Sequence, residues 1–257
     1  MDYKLVFFDI DGTLVNDQKE IPVSTKKAVQ TLKEKGINVM IATGRSPYHA
    51  KIVADELGID SMINFNGSYI TYKGDVIYKQ ALLKKEIKKL YQFVSQHKLC
   101  LTYLGEKDYA TSDKENPYYI QMFGNRTHWE VTMDPFFFEK NDVFQIFLHS
   151  PKEMDELFKQ MFPHFDFIRW AEFGMDVIPK HHSKASGIQT LTKLLSISSE
   201  QMVAFGDGEN DKEMIEYVGM GIAMGNAHEE LKPLANLVTS HVDEDGILNG
   251  LKKINLL

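Results

Sequence analysis

The stretch Leu5-Val6-Phe7-Phe8 is apolar without alternation and stops at Asp9-Ile10-Asp11-Gly12-Thr13. A short run that is apolar on both faces suits a strand covered from above and below, as in a parallel sheet. Strands of such a sheet must be joined by crossovers, usually helices, and ligands bind at their carboxyl ends. The two aspartates fall at that end. Held close, two carboxylates repel each other, and a hard divalent cation with oxygen ligands relieves the repulsion. The competing reading is an acidic turn after an edge strand.

The next residues repeat the pattern. Ser24 to Lys35 puts Ala28, Val29 and Leu32 on one helical face, with Gly36 as the stop. Ile37 to Ala42 is a second apolar run, ending at Thr43-Gly44-Arg45. Ser46-Pro47 reads as an N-cap followed by proline at the first helical position, and Ile52, Val53 and Leu57 are expected to line that helix. A third short strand, Ser61 to Phe65, ends at Asn66-Gly67. This alternation predicts an α/β fold with a doubly wound, mostly parallel sheet. Ser68 to Lys79, with Lys73-Gly74-Asp75 at its centre, predicts a hairpin.

The middle third differs. Ile87, Leu90, Tyr91 and Val94, and later Met154, Leu157, Phe158 and Met161, sit at helical spacing. Cys100 to Leu104, Phe144 to His149 and Phe165 to Trp170 are aromatic-rich strand candidates. Phe136-Phe137-Phe138 and Trp129 fit core packing better than a substrate opening. His128, His149 and His164 lack metal-ligand spacing, and His181-His182 reads as a solvated linker pair. The first pattern resumes at Ser183 to Leu195, with Ile188, Leu191 and Leu195 on one face. Met202 to Phe205 is another buried strand, running into Gly206-Asp207-Gly208-Glu209-Asn210-Asp211. Two more short strands are expected at Met220 to Met224 and Leu237 to Val242. The organisation implied is a discontinuous core of residues 1–82 and 183–257, with an α+β domain of residues 83–182 inserted.

Charge and cysteine content narrow the function. Asp and Glu outnumber Lys and Arg by 36 to 29, a balance that argues against broad nucleic-acid binding. The lone cysteine, Cys100, excludes an intramolecular disulfide and fits a reducing compartment. No apolar run near Met1 has the length of a signal peptide or membrane span, so a cytoplasmic protein without membrane partners is expected.

Four strand ends now carry polar residues: Asp9 and Asp11; Thr43-Gly44; Asn66-Gly67; and Asp207, Asn210 and Asp211. If the strands are parallel, these ends open on one edge. Carboxylates there can bind a cation, while a hydroxyl, backbone amides, an amide and the Lys184 ammonium bind phosphate. That is equipment for phosphoryl transfer, where positioning and charge neutralisation do most of the work.

Asp9-Ile10-Asp11-Gly12-Thr13, Thr43-Gly44-Arg45, Lys184 and the Gly206–Asp211 stretch resemble the four motifs of the haloacid dehalogenase superfamily. Asn66-Gly67 and the large insertion before Lys184 resemble its Cof-type phosphatase branch, with a Rossmann-like core and a cap that selects substrate. The second aspartate, Asp11, separates this pattern from true dehalogenases. One departure is Ser183-Lys184-Ala185-Ser186-Gly187, where the branch often has glycine directly after lysine. The resemblance implies an Mg²⁺-dependent phosphatase of small phosphorylated metabolites, sugar phosphates or cofactor phosphates, working through an aspartyl-phosphate. Asp9 would be the nucleophile and Asp11 the acid–base group, protonated while Asp9 is ionised. Mg²⁺ would lie on the Asp9 and Asp207 carboxylates and the Asp11 carbonyl. Thr43, Lys184, Asn210 and the Ile10 and Gly44 amides would hold the phosphoryl oxygens, with Asp211, Arg45 and Asn66 in support. Trp129, Arg126, Arg169 and Trp170 are candidates for contact with the leaving group. The alternatives are a phosphomutase or phosphotransferase using the same aspartate, a phospho-accepting signalling module, and a non-catalytic binding protein on the same fold.

Overall fold

A computed structural model of the chain describes residues 3–124 and 131–257. These form two compact units, residues 1–78 with 183–257, and residues 79–182. The first begins with β1 (Leu5–Phe8), α1 (Val23–Glu34), β2 (Asn38–Ala42), α2 (Pro47–Leu57), β3 (Met62–Asn64), β4 (Tyr69–Tyr72) and β5 (Asp75–Lys79). The second holds α3 (Lys84–Gln96), β6 (Cys100–Leu104), β7 (Tyr109–Thr111), α4 (Pro117–Met122), β8 (Val131–Met133), α5 (Phe137–Lys140), β9 (Gln145–His149), α6 (Asp155–Met161), β10 (Phe165–Ala171) and β11 (Gly174–Pro179). The chain then returns to the first unit through α7 (Lys184–Leu195), β12 (Met202–Gly206), α8 (Lys212–Tyr217), β13 (Met220–Ala223), β14 (Leu237–Val238) and α9 (Gly246–Lys253).

The first unit is built on one eight-stranded sheet in the order β14-β13-β12-β1-β2-β3-β4-β5. Pairings from β14 through β3 are parallel, and β4 turns back antiparallel on β3. Alternate residues of β1 serve opposite cores, which is why its run has no polar face. Val6 and Phe8 join Val29, Leu32, Val53 and Leu251 on one side; Leu5 and Phe7 join Ile188, Leu191 and Met214 on the other. β1 is central, with β12 and β2 as its neighbours. The polar ends of three strands from distant parts of the sequence therefore lie side by side. Helix starts follow local chemistry: Ser46 accepts a hydrogen bond from the His49 amide at 3.2 Å, with Pro47 next. Ile52 is the exception to the expected lining of α2. It is 70% exposed, and Ala50, Val53, Ala54 and Leu57 make the buried stripe.

The second unit has a six-stranded sheet, β10-β11-β9-β6-β7-β8, antiparallel except for β7 with β8. Ile87, Leu90 and Val94 of α3 and Phe158 of α6 pack with Leu101, Tyr103, Ile146, Leu148 and Val177 of the strands. Phe137 and Phe138 belong to this core, whereas Phe136 is half exposed. Leu157 and Met161, at helical spacing with Phe158, are also part exposed. The unit starts at 79 rather than 83: Leu82 is buried in it, and its amide donates to the Val143 carbonyl at 2.8 Å. β11 and β7 had no clear sequence signal. Gly174 and Pro179 bound the first, and the second has only three residues.

His149 is fully buried, with Nε2 2.9 Å from the Thr102 hydroxyl. Burial drives its pKa down to about 3, so it is a neutral core residue. The Arg169 guanidinium forks onto Asp155 and also donates to the carbonyls of Ser150, Ala171 and Glu172. It is occupied in holding its own unit together. Trp170 remains 45% exposed; Arg126, His128 and Trp129 lie outside the described residues. Among the described residues, no helix is long and apolar enough to cross a membrane.

Phe8 and Phe205 stack at 5.1 Å between ring centroids, both fully buried. Replacing Phe205 with alanine should cost about 3–5 kcal/mol, the usual range for a buried phenylalanine. A urea unfolding midpoint lowered by much less would mean that β1 and β12 do not carry this core.

Candidate active site

The site begins with a turn that only glycine fits. Gly12 has φ +75°, and a Cβ there would lie 2.2 Å from Asp207 Oδ2. The Asp9 amide continues the ladder by donating to Phe205 O at 3.1 Å. Asp9 and Asp207 are thus brought together from opposite ends of the chain. Thr13 Oγ1 donates to Asp207 Oδ1 at 2.8 Å, and the Asp207 carbonyl accepts from the His228 amide at 2.9 Å. Asn226 closes the same turn from behind, its Nδ2 donating to Gly12 O at 2.7 Å.

Lys184 stands at the first turn of α7, with its side chain fully buried. Its Nζ donates to Asp9 Oδ1 at 2.7 Å and to Asp211 Oδ1 at 2.6 Å. The other Asp211 oxygen accepts from the Asp207 and Gly208 amides at 3.0 and 2.9 Å. Both oxygens of that buried carboxylate are therefore engaged, which makes Asp211 a brace for the loop and for Lys184. The residue directly after Lys184, where the branch often has glycine, is the buried Ala185, and the serines on either side of the pair cap the helix. Ser183 caps α7, and Ser186 returns the contact to the Ser183 amide at 3.0 Å.

Asp9, Asp207 and Asp211 each bring a carboxylate oxygen within 4.8 Å of the others. Three carboxylates face one ammonium, so the cluster lacks positive charge. Burial first, then Asp211 and Asp207, push the Asp9 pKa to about 8 against the pull of Lys184. Burial also raises Asp207, to about 6, against the Thr13 hydrogen bond. Lys184 goes the other way: burial works against its charge, but Asp211 and Asp9 outweigh it and hold it above the ordinary lysine value. Oxygen donors in a charge-deficient cluster suit a hard divalent cation such as Mg²⁺. The residues fit such an ion.

Asp11 is placed differently from the expectation that it carries the proton. Arg45 forks onto it, with Nε donating to Oδ2 at 2.8 Å and Nη2 to Oδ1 at 2.7 Å. Lys19 Nζ adds a third contact at 2.8 Å. Burial alone would raise the Asp11 pKa, but Arg45 and then Lys19 outweigh it and lower it. Proton affinity in this state is thus ordered opposite to the sequence expectation, high on Asp9 and low on Asp11. The physical reason is that Arg45 and Lys19 reach Asp11, while among the described residues only Lys184 donates to Asp9.

Thr43 is buried, and its hydroxyl accepts from the Arg45 amide at 3.1 Å. Gly44 lies against Asn66, and Asn210 Nδ2 donates to Asn66 Oδ1 at 3.1 Å. The Ile10 side chain is buried in the core, which leaves its backbone as its contribution to the turn. The His181 amide donates to Asp166 Oδ2, and His182 Nδ1 lies 3.2 Å from Lys180 O. Sequence reasoning missed Lys19, Thr13 and Asn226. Thr13 sat in the motif and could have been found; Lys19 and Asn226 carry no local signal.

Residues 6–251 match the family model for haloacid dehalogenase-like hydrolases. YkrA of Bacillus subtilis is 41% identical over 258 residues, spanning 100% of both chains. The 5-amino-6-(5-phospho-D-ribitylamino)uracil phosphatase YitU of the same organism is 27% identical, covering 97% of this chain and 96% of its own. Among solved structures, the subclass IIB sugar phosphatase BT4131 aligns with TM-score 0.85 and 30% identity, over 99% of this chain and 100% of that one.

The charge deficit is measurable. With its pKa raised to about 8, Asp9 should keep its proton in the folded chain in EDTA well above the ordinary 3.8 at which the unfolded chain releases it. The folded state binds the extra proton between those values, so the stability that Asp9 contributes falls as pH rises through that window. The melting temperature of Asp9→Asn in EDTA should therefore gain on wild type between about pH 5 and about pH 8. Mg²⁺ should raise the wild-type value more at the higher pH. A wild-type-to-variant difference that stays flat across this range would remove the charge-deficit account.

Proposed function

Because this chain belongs to the haloacid dehalogenase-like hydrolases and is a phosphatase of that family, we propose that it hydrolyses small phosphorylated metabolites with Mg²⁺ through an aspartyl-phosphate on Asp9. The observation that carries this reading is the largely buried cluster of Asp9, Asp207 and Asp211 beside Lys184 at the carboxyl ends of β1 and β12. Mg²⁺ would be held by the Asp9 and Asp207 carboxylates and the Asp11 main-chain carbonyl. When bound, it supplies the positive charge that the cluster lacks and that a phosphoryl dianion needs.

The chain's own residues do the rest. An Asp9 carboxylate oxygen attacks phosphorus as the ester P–O bond breaks, giving an acyl phosphate and the free alcohol. Asp11 gives its proton to the departing oxygen. It then takes a proton from the water that attacks phosphorus, so that inorganic phosphate leaves and Asp9 is regenerated. For the first of these steps Asp11 has to leave the Arg45 and Lys19 contacts and carry a proton. Lys184, the Thr43 hydroxyl, the Asn210 amide and the Ile10 and Gly44 backbone amides hold the phosphoryl oxygens, as donors do in such sites. Asp211 keeps Lys184 and the Asp207 loop in place.

Selection of the leaving group is assigned to residues 79–182, because the groups just named recognise only phosphate. Sugar phosphates and cofactor phosphates are the substrate classes proposed. Two relatives support that choice: BT4131 is a sugar phosphatase, and YitU acts on a phosphorylated ribitylamino-uracil. A phosphomutase would use the same aspartate but return the phosphoryl group to substrate. Release of inorganic phosphate from sugar phosphates without added bisphosphate separates the two.

Asp9→Asn should abolish turnover of p-nitrophenyl phosphate; activity that survives removes the nucleophile. Asp11→Asn should slow steady turnover by roughly 10²–10⁴, the usual yield of acid–base catalysis. Nitrophenolate leaves without a proton, so this variant should release about one equivalent per site quickly and then stall for want of a base. A slow rate with no burst would assign Asp11 to the first step alone.

A further inference from the structure

The turn Phe65-Asn66-Gly67 follows β3 in a costly conformation. All three residues have positive φ, at 49°, 50° and 101°. For a phenylalanine this is a rare backbone state, and such states persist only where the surroundings impose them. Here the surroundings are two parts of the phosphate site. The Phe65 amide donates to Arg45 O at 3.1 Å and the Asn66 amide to Thr43 O at 3.2 Å, tying the turn to the Thr43–Arg45 loop. Gly67 faces the start of α7 so closely that a Cβ would lie 2.2 Å from Ser183 O, one residue before Lys184. Phe65 is fully buried beneath this arrangement and anchors it.

The Asn66 side chain emerges from that turn between Gly44 and Asn210. A Cβ on Gly44 would sit 3.1 Å from Asn66 Nδ2, and Asn66 Oδ1 accepts from Asn210 Nδ2 at 3.1 Å. A side-chain amide can present either nitrogen or oxygen, and a phosphoryl oxygen only accepts. Asn210 is useful to phosphate only with its nitrogen turned inward. An acceptor that takes one N–H of Asn210 fixes the amide that way round and leaves the second N–H to donate.

We propose that Asn66 is a positioning residue of the phosphoryl site, locking the Asn210 amide in its donor orientation and joining the Thr43–Arg45 loop to the Asp207–Asp211 loop. This rests on the reading of Asn210 as a phosphoryl-binding group. The strained backbone has a purpose in that arrangement: it is what carries the Asn66 amide across to the other loop. Asparagine tolerates left-handed backbone better than most residues, and its short amide leaves room beside Gly44.

The test is a double-mutant cycle on kcat, KM and competitive inhibition by inorganic phosphate, with p-nitrophenyl phosphate as substrate and Mg²⁺ present. Asn66→Gly keeps the positive φ without strain and removes only the amide. Asn66→Gly and Asn210→Ala should each weaken phosphate inhibition roughly tenfold, the scale of a lost hydrogen bond to a charged group. The double variant should be no worse than Asn210→Ala, because the first residue acts through the second. Effects that multiply, or an Asn66→Gly enzyme equal to wild type, overturn the proposal. Asp9→Asn is assayed alongside. If it is inactive while Asn210→Ala binds phosphate normally, the positioning role fails and the phosphatase mechanism stands; if Asp9→Asn is active, the mechanism fails and the cycle still judges the coupling. Wild-type protein gives a second readout that no variant's folding can spoil. One Asn210 side-chain amide proton should exchange slowly by NMR before phosphate is added, and both afterwards. Two fast-exchanging protons in the phosphate-free protein would refute the contact.

Discussion

Two buried carboxylates share one buried ammonium in this protein with a third, half-buried carboxylate beside them, and most of the first unit can be understood as the means of enforcing that crowding. Asp9 and Asp211 both contact Lys184 Nζ, and Asp207 is pressed against Gly12. Taking ions out of water is expensive, and a buried pair is stable only when its remaining hydrogen-bonding positions are filled. Asp211 meets that condition, with the Asp207 and Gly208 amides on its second oxygen. Burial first, and then the neighbouring carboxylates, raise the proton affinities of Asp9 and Asp207. Such a cluster of oxygen donors suits added positive charge, as proposed above for Mg²⁺. An enzyme acting on phosphate dianions needs such a site, because a fully neutralised one would have no differential affinity left for the transition state.

The surrounding fold supplies rigidity where this chemistry requires it. β1 and β12 are central strands with both faces buried, so the Asp9 and Asp207 backbones are fixed by the two cores together. Side chains that act at the rim are held by ionic partners instead. Asp11, with Arg45 and Lys19, is nearly half exposed, and exposed ion pairs are weak enough to exchange partners. Asp9 is therefore locked while Asp11 stays adjustable. Such a division suits the roles proposed for them, in which one carboxylate keeps its place and the other must change its proton twice.

Much of this was legible in the sequence, and the limits have a common cause. The apolar runs at Leu5–Phe8, Asn38–Ala42 and Met202–Gly206 announced buried strands, because two-sided burial leaves a local mark on composition. Ser46-Pro47 announced the start of α2, since capping is settled within one turn. Ile52 misled because apolar spacing counts residues on a face without saying which edge of that face meets the sheet. Arg169 looked available for a ligand because nothing nearby in sequence reveals its fork onto Asp155.

The sequence by itself determined which residues stand at strand ends and which chemical groups they offer: paired carboxylates, a lysine opening a helix, and glycines where side chains would collide. These follow from interactions reaching a few residues along the chain. Only the tertiary structure decided which charges face each other. Asp9 meets a lysine 175 positions away, Asp11 meets Arg45 and Lys19, and Asn210 meets Asn66 across 144 positions. Proton affinity and amide orientation depend on distances of about 3 Å between such partners. Sheet order sets those distances, and sheet order is fixed by the packing of the whole first unit.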